Sequence, residues 1–369
     1  MENRKIRVAI THGDTNGIGY ELIFKALEDP MMRELCTPII YGSPKVATYH
    51  RKALDIQANF TIINNAESAQ EGRINMLTTF EEEIKVELGE PSEESGNAAL
   101  KAIDRALADW QNGLVDVIVT APVDNNEAFN FSGQTRYIED HTESYGKSMT
   151  ILTGERLRMA LANVNTPMKH IAETVTKENI IEKVKVIHES MRRDFRISNP
   201  RIAVLSLNPK AGDNGLTGSE EVEIIKPAIE ELSDNGIQVY GPYAADEFFT
   251  NGYYSSFDTT LAMHYEQGII PFNMIDNNEG VRFTAGLPLT RTAPMQNASF
   301  DITGKNIADA TSMRNAIFLA IDIFRHRAEY DEPLENPLKK LYKERRDENE
   351  KTRFNIPKKN ANSESAEQK

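Results

Sequence analysis

The chain has 369 residues, of which 40% are hydrophobic and 27% charged, enough to bury the core of one large or two medium domains. Its 42 Lys and Arg against 56 Asp and Glu leave a net charge of −14, which argues against sequence-independent nucleic-acid binding. No apolar run approaches the roughly 20 residues that span a bilayer. The single cysteine, Cys36, excludes an internal disulfide and a cysteine-rich metal site.

The opening MENRKIRVAITHGD passes from a polar tip into a strand-like run without an apolar signal region, so the expected compartment is the cytoplasm. IRVAIT (6–11) predicts a strand, followed by a glycine-rich turn and the helix YELIFKALED. TPIIYG (37–42) is a second strand and KVATYHRKALD a helix. Cys36 sits in the apolar ELCTPIIYG and reads as a packed core thiol. NAALKAIDRALADWQNG is an amphipathic helix that stops at Gly113, and VDVIVTAPV (115–123) is a buried strand. SMTILTG and RMALANV read as strands, ENIIEKVKVIHESMRRDF as a long helix, and RIAVLSLN (201–208) as a strand. SEEVEIIKPAIEELSDNG is one helix, followed by the strands IQVYGPY, TTLAMHY (259–265) and VRFTAG. DATSMRNAIFLAIDIFRHR (309–327) is a helix with an apolar stripe, and the chain beyond Leu341 is a polar tail. This βα rhythm predicts an α/β fold on a largely parallel sheet.

Several stretches carry candidate chemistry. ITHGDTNGIGYE (10–21) places glycines at 13, 17 and 19 between strand and helix. It is either an anion-binding turn or a plain tight connection, and it is not the G-x-G-x-x-G of a Rossmann fold. DHTESYGK (140–147) is a polar loop whose His141 and Thr142 can donate to a phosphate or hydroxyl. LNPKAGDNGLTGSEE (207–221) follows a strand, where open α/β sheets bind ligands. GLPLTRTAP puts Arg291 beside prolines, and arginine suits bidentate binding of phosphate or carboxylate. His188 and His326 fall among charged helical residues and read as solvated.

Taken in order, ITHGDTNGIGYE, VTAPVDNNE, DHTE, LNPKAGDNGLTGSEE, GPYAADEFF, MHYEQGIIPF, GVRFTAGLPLTRTAP and FDITGKNIADATSM resemble the 4-hydroxythreonine-4-phosphate dehydrogenase family from about residue 6 to 328. The resemblance implies a two-domain α/β/α fold like that of isocitrate and isopropylmalate dehydrogenases, with the active-site cleft between the domains. It divides a single unit of residues 1–340 into subdomains of about 1–130 plus 288–335, and about 131–287. It also implies a homodimer, a small phosphorylated substrate and NAD or NADP as cofactor. The family oxidises the C3 hydroxyl of 4-phosphooxy-threonine, and the β-keto acid then loses carbon dioxide. A divalent ion held by three histidines polarises the reacting oxygen.

Carried over by position, the resemblance makes His141, Thr142 and Arg291 substrate-binding residues and Asp246 catalytic. The three metal-ligand positions hold Asn165, Lys210 and Tyr265, so no divalent metal is expected. His264 lies one place before Tyr265; on a strand it points to the opposite face and does not substitute. The family's substrate lysine and asparagine correspond to Asn273 and Arg282, its cofactor-side His-Gly-Thr to Gln296, Asn297 and Ala298, and the lysine of its A-P-x-x-K motif to Asn125. Three functions follow as expectations. One is the family reaction without its metal, with Lys210 polarising the hydroxyl or binding a carboxylate. The second is a dehydrogenase for a more anionic ligand held by Arg282 and Lys210. The third is a non-catalytic relative that binds phosphate ligands or regulates a partner.

Overall fold

A computed structural model describes residues 4–124, 133–144, 146–276 and 279–337. The readings placed on Asn125 and on the tail from 341 lie outside them. Residues 1–331 form one compact unit; a second, 332–369, is described only as far as Pro337.

The strands are β1 (Arg7–Thr11), β2 (Thr37–Gly42), β3 (Thr61–Ile63), β4 (Asn75–Thr78), β5 (Val117–Thr120), β6 (Met149–Thr153), β7 (Arg158–Leu161), β8 (Ile202–Leu205), β9 (Val239–Tyr243), β10 (Thr259–Ala262), β11 (Val281–Ala285) and β12 (Thr290–Pro294). The helices are α1 (Gly19–Ala26), α2 (Pro30–Leu35), α3 (Pro44–Ala53), α4 (Glu93–Gln111), α5 (Gln134–His141), α6 (Ile171–Thr174), α7 (Lys177–Arg193), α8 (Lys226–Asp234), α9 (Ala245–Thr250), α10 (Tyr265–Asp276) and α11 (Thr311–Glu335).

All twelve strands join one sheet in the order β3-β4-β2-β1-β5-β12-β11-β6-β7-β10-β8-β9. The six from β3 to β12 are mutually parallel, as are the four from β7 to β9. The blocks meet through antiparallel pairs, β12 with β11, β11 with β6, and β6 with β7. The blocks therefore run in opposite directions, with β11 and β6 between them. The expected α/β class and largely parallel sheet are what the chain forms.

The sequence explains the parallel blocks. Val8, Ala9 and Ile10 are all buried, as are Ile39, Ile40 and Tyr41 beside them. Strands covered by helices on both faces read as unbroken apolar runs. Helix starts follow local chemistry: Ser92 and Ser95 form a reciprocal capping box on α4, and the Thr176 side chain caps α7. Cys36 is buried in the core and its thiol is pushed up to about 12, as a packed, unreactive cysteine should be.

Four readings need correction. The helix expected over SEEVEIIKPAIEELSDNG is a π-helical turn, Glu221–Ile225, followed by α8. Pro227 lacks an N–H and its ring crowds the preceding turn, which widens in response. The strand expected over 259–265 ends at Ala262, because the Met263 N–H turns to Gln267 Oε1 (2.7 Å) and α10 begins at Tyr265. His264 and Tyr265 are therefore not on opposite faces of a strand. His141 ends a helix instead of lying in a polar loop. His326 is half-buried, with Nδ1 2.7 Å from the Asp194 carbonyl, so it is not solvated.

Candidate functional site

A cavity of about 540 Å³ opens where the parallel blocks meet. Its walls come from the segments after β5, β7, β10 and β12, from the strands β11 and β6, and from the first turns of α5. Strand alternation puts its main side chains together. Arg282 pairs with Ala293 across β11 and β12, and Arg291 lies two residues from Ala293, so both arginines share one face of the sheet.

Arg291 is buried and its guanidinium is held entirely by neutral groups. Nε donates to Thr120 Oγ1 (3.1 Å), Nη1 to Thr135 Oγ1 (3.3 Å) and Thr284 Oγ1 (3.1 Å), and Nη2 to Thr120 Oγ1 (2.6 Å) and Gln134 Oε1 (2.9 Å). Burial first, then the charge of Arg282, pull it down to about 9. Arg282 donates from Nη2 to the Met295 carbonyl (3.1 Å), while its buried Nε has no partner among the described residues. Among the described residues, no carboxylate pairs with either arginine.

The rest of the charged lining is balanced. Arg136 and Lys183 join the two arginines, against the carboxylates of Asp124 and Glu139. Both carboxylates already accept backbone N–H groups, Asp124 from Ala298 (3.1 Å) and Glu139 from Ser148 (3.0 Å). A cavity rich in cations within a chain of net charge −14 suits a small anionic ligand.

The predicted residues divide. Arg291, Arg282, Asn165, Tyr265, Gln296 and Asn297 line the cavity. His141, Thr142, Lys210 and Asp246 are not part of its lining. His141 Nδ1 bonds the Tyr137 carbonyl (2.7 Å) and its ring stacks on Tyr137, while Thr142 Oγ1 donates to the Ile138 carbonyl (2.9 Å). Asp246 is exposed in the first turn of α9.

Lys210 is exposed on an unusual turn. Lys210, Ala211, Gly212, Asp213 and Asn214 all have left-handed backbone, with φ of 52°, 51°, 75°, 44° and 55°. Only glycine adopts this conformation without cost. Glu221, fully buried, braces the turn by accepting the N–H groups of Leu207 (2.8 Å) and Asn208 (2.7 Å) and the Asn208 side chain (3.0 Å).

The glycine-rich turn after β1 resolves toward packing. A Cβ on Gly13, Gly17 or Gly19 would stand 2.5 Å from the Pro122 carbonyl oxygen, 2.9 Å from that of Ala298 and 2.1 Å from that of His12. At these three positions glycine admits the close approach of the protein's own backbone.

The three positions that the resemblance assigns to the family's metal carry no histidine. Asn165 offers an amide and Tyr265 a phenol to the cavity, and Lys210 a cation outside it. Among the described residues, no group of three His, Cys, Asp or Glu side chains could hold an ion. No helix there is long and apolar enough to cross a membrane. Sequence reasoning missed Gln134, Thr135, Arg136, Glu139 and Lys183 as cavity residues. The only signal for Gln134 and Thr135 is that their polar side chains can reach a buried arginine distant in sequence.

The architecture is that of solved dehydrogenases acting on a small phosphorylated substrate. The crystal structure of 4-hydroxythreonine-4-phosphate dehydrogenase from Klebsiella pneumoniae matches with a TM-score of 0.75 at 28% identity, covering 88% of this chain and 99% of that one. The family model described as pyridoxal phosphate biosynthetic protein PdxA matches residues 34–320. A 4-hydroxythreonine-4-phosphate dehydrogenase from Bacteroides thetaiotaomicron is 50% identical over 96% of this chain and 98% of its own length. One from Sulfurihydrogenibium is 34% identical over 87% and 99%. The chain belongs to the PdxA family.

Proposed function

We infer that this chain is a dehydrogenase of the family type with a remodelled site. It would oxidise the hydroxyl of a small phosphorylated hydroxy acid such as 4-hydroxythreonine-4-phosphate, with NAD or NADP as hydride acceptor and no ion held by Asn165, Lys210 and Tyr265. The observation that carries the reading is the buried Arg291 beside Arg282 without a carboxylate partner among the described residues, in a cation-rich cavity. Unpaired guanidinium charge of this kind suits a phosphate or carboxylate on the ligand. The names of the Bacteroides and Sulfurihydrogenibium relatives support the reaction class.

A second reading, a non-catalytic phosphate-binding relative, draws support from the position of Lys210 and Asp246 outside the cavity. NAD(P) reduction by the full chain with 4-phosphooxy-threonine, with and without EDTA, separates the two. Turnover that survives chelation is expected. Turnover abolished by EDTA and restored by a divalent ion overturns the metal-free part, and phosphate binding without turnover favours the second reading.

The same proposal includes a cytoplasmic homodimer, as the family resemblance implies. Leu216 beside the Lys210 turn (85% exposed) and Met274 on α10 (80% exposed) provide apolar surface for an interface. Light scattering of the purified chain tests it.

A further inference from the structure

A second opening lies outside the cavity, along α7. Glu178, Ile181, Glu182, Lys185, Val186 and Glu189 repeat every three or four residues and so form one stripe on the helix, opposite the side of Val184 and Ile187 that packs in the core. The stripe is one wall of a groove of about 900 Å³, within the range of small-molecule sites at about 300–1,000 Å³. The link from β11 to β12, at Gly286, Leu287 and Pro288, supplies another. Gly286 makes this link tight: its φ is 80°, and a Cβ on it would stand 2.1 Å from the Lys147 carbonyl oxygen.

Arg327 of α11 lines this groove with bonding capacity to spare, although it is only 7% exposed. Of the five N–H donors of a guanidinium, its Nε donates to Asp194 Oδ1 (2.6 Å) and its Nη1 to the carbonyls of Leu287 (3.3 Å) and Pro288 (3.2 Å). Nη2 keeps both donors without a partner among the described residues. The charge of Arg327 is already cancelled by Asp194, which Ser190 Oγ also holds (2.7 Å). Arg193 is likewise paired with Asp331, and Glu231 with Lys177. The remaining lining charges, Lys147 and Lys185 against Glu178, Glu182 and Glu189, are exposed and of both signs. The groove thus offers a hydrogen-bond donor beside apolar walls, without an unbalanced buried charge.

We propose that this groove is a second ligand site, and that it takes a small, neutral, largely apolar molecule whose carbonyl-type oxygen accepts from Arg327 Nη2. Ile181, Val186, Leu287 and Pro288 cover the apolar body of that molecule. The site is separate from the cavity and does not depend on the reading given to it. Its ligand touches the link between β11 and β12, the strands that carry Arg282 and Arg291.

Ligand-observed NMR titration of the full chain with benzamide, benzylamine and benzoate tests the proposal, with folding of each variant checked by circular dichroism. Benzamide should bind saturably. Benzylamine has no carbonyl to offer and should bind about tenfold more weakly. Benzoate should gain nothing over benzamide, because Asp194 already neutralises the arginine. Val186→Glu puts a charge on the apolar wall, and Arg327→Lys keeps a charge beside Asp194 but loses the fork of donors. Each should weaken benzamide by about tenfold. The absence of saturable benzamide binding, equal binding of benzylamine, tighter binding of benzoate, or wild-type affinity in either variant overturns the proposal.

Discussion

Acid should unfold this protein through His12, and the size of the effect follows from burial. His12 is fully buried at the start of the turn after β1, its ring stacks on Tyr20 (centroids 5.3 Å), and Phe80 meets it edge-on. Among the described residues neither ring nitrogen has a hydrogen bond of good geometry, and the backbone of Ala98 and Gly13 lies near enough to offset burial only in part. Burial is the largest cause of a pKa lowered from 6.5 to about 4, and the nearby His50 adds to it. The folded state therefore keeps the ring neutral where the unfolded chain takes up a proton. Stability from this residue is fully present above pH 6.5 and is lost as pH falls toward 4. At about 1.4 kcal/mol per pH unit, the gap between 6.5 and about 4 is worth about 3 kcal/mol. His12→Phe keeps a ring between Tyr20 and Phe80 and removes the titration. Urea midpoints of wild type and His12→Phe, measured from pH 7.5 to 4.5, should diverge steadily below pH 6.5, with the variant holding more of its stability. Burial lowers His50 in the same direction and raises the Asp14 carboxyl, but both are present in the two proteins and largely cancel in the difference. Parallel pH curves for the two proteins would refute the reasoning.

Glu221→Ala should cost about 3 kcal/mol in denaturant unfolding, because the N–H groups of Leu207 and Asn208 lose their acceptor. Ala211→Gly should stabilise the chain by about 0.5–1 kcal/mol, read as a raised Tm, because a left-handed alanine at φ 51° is relieved. Arg327→Met should cost about 3–5 kcal/mol by the same unfolding assay. It leaves Asp194 buried without the guanidinium, now 2.6 Å away, that neutralises it.

The sequence was most informative where one local rule decided the outcome. β2 begins at Thr37 and ends at Gly42, the bounds its apolar run predicted, whereas α4 begins at Glu93, four residues before the stretch NAALKAIDRALADWQNG that was read as its helix. It was least informative where long-range pairing decided. β12 reads as a proline-flanked polar stretch, TRTAP, yet it sits between β5 and β11, and every residue in it is buried. Its threonines are tolerated there because they bond inward, as Thr292 does to the Ala316 carbonyl (2.8 Å). Tyr265 could not be oriented from sequence either, since the strand before it is ended by the Gln267 side chain, which bonds the Met263 N–H (2.7 Å) and the Ser206 carbonyl (2.7 Å). Arg291 was visible as a candidate, but its environment was not. Thr120, Gln134, Thr135 and Thr284 come from three separate stretches of chain and share no spacing that a reader could use.

That environment bears on how the pocket works. A buried arginine is usually stabilised by a carboxylate, which satisfies its N–H groups and cancels its charge together. Here hydroxyls and an amide satisfy the N–H groups of Arg291 and leave the charge in place. Even lowered to about 9, the guanidinium stays protonated at neutral pH. The positive field, strengthened by the low dielectric of its surroundings, is thus left for something outside the fold to neutralise. Swapping Thr120 for Asp would move that neutralising charge inside the fold. On this logic it should weaken phosphate binding about as much as losing an arginine does, while leaving Arg291 bonded in place.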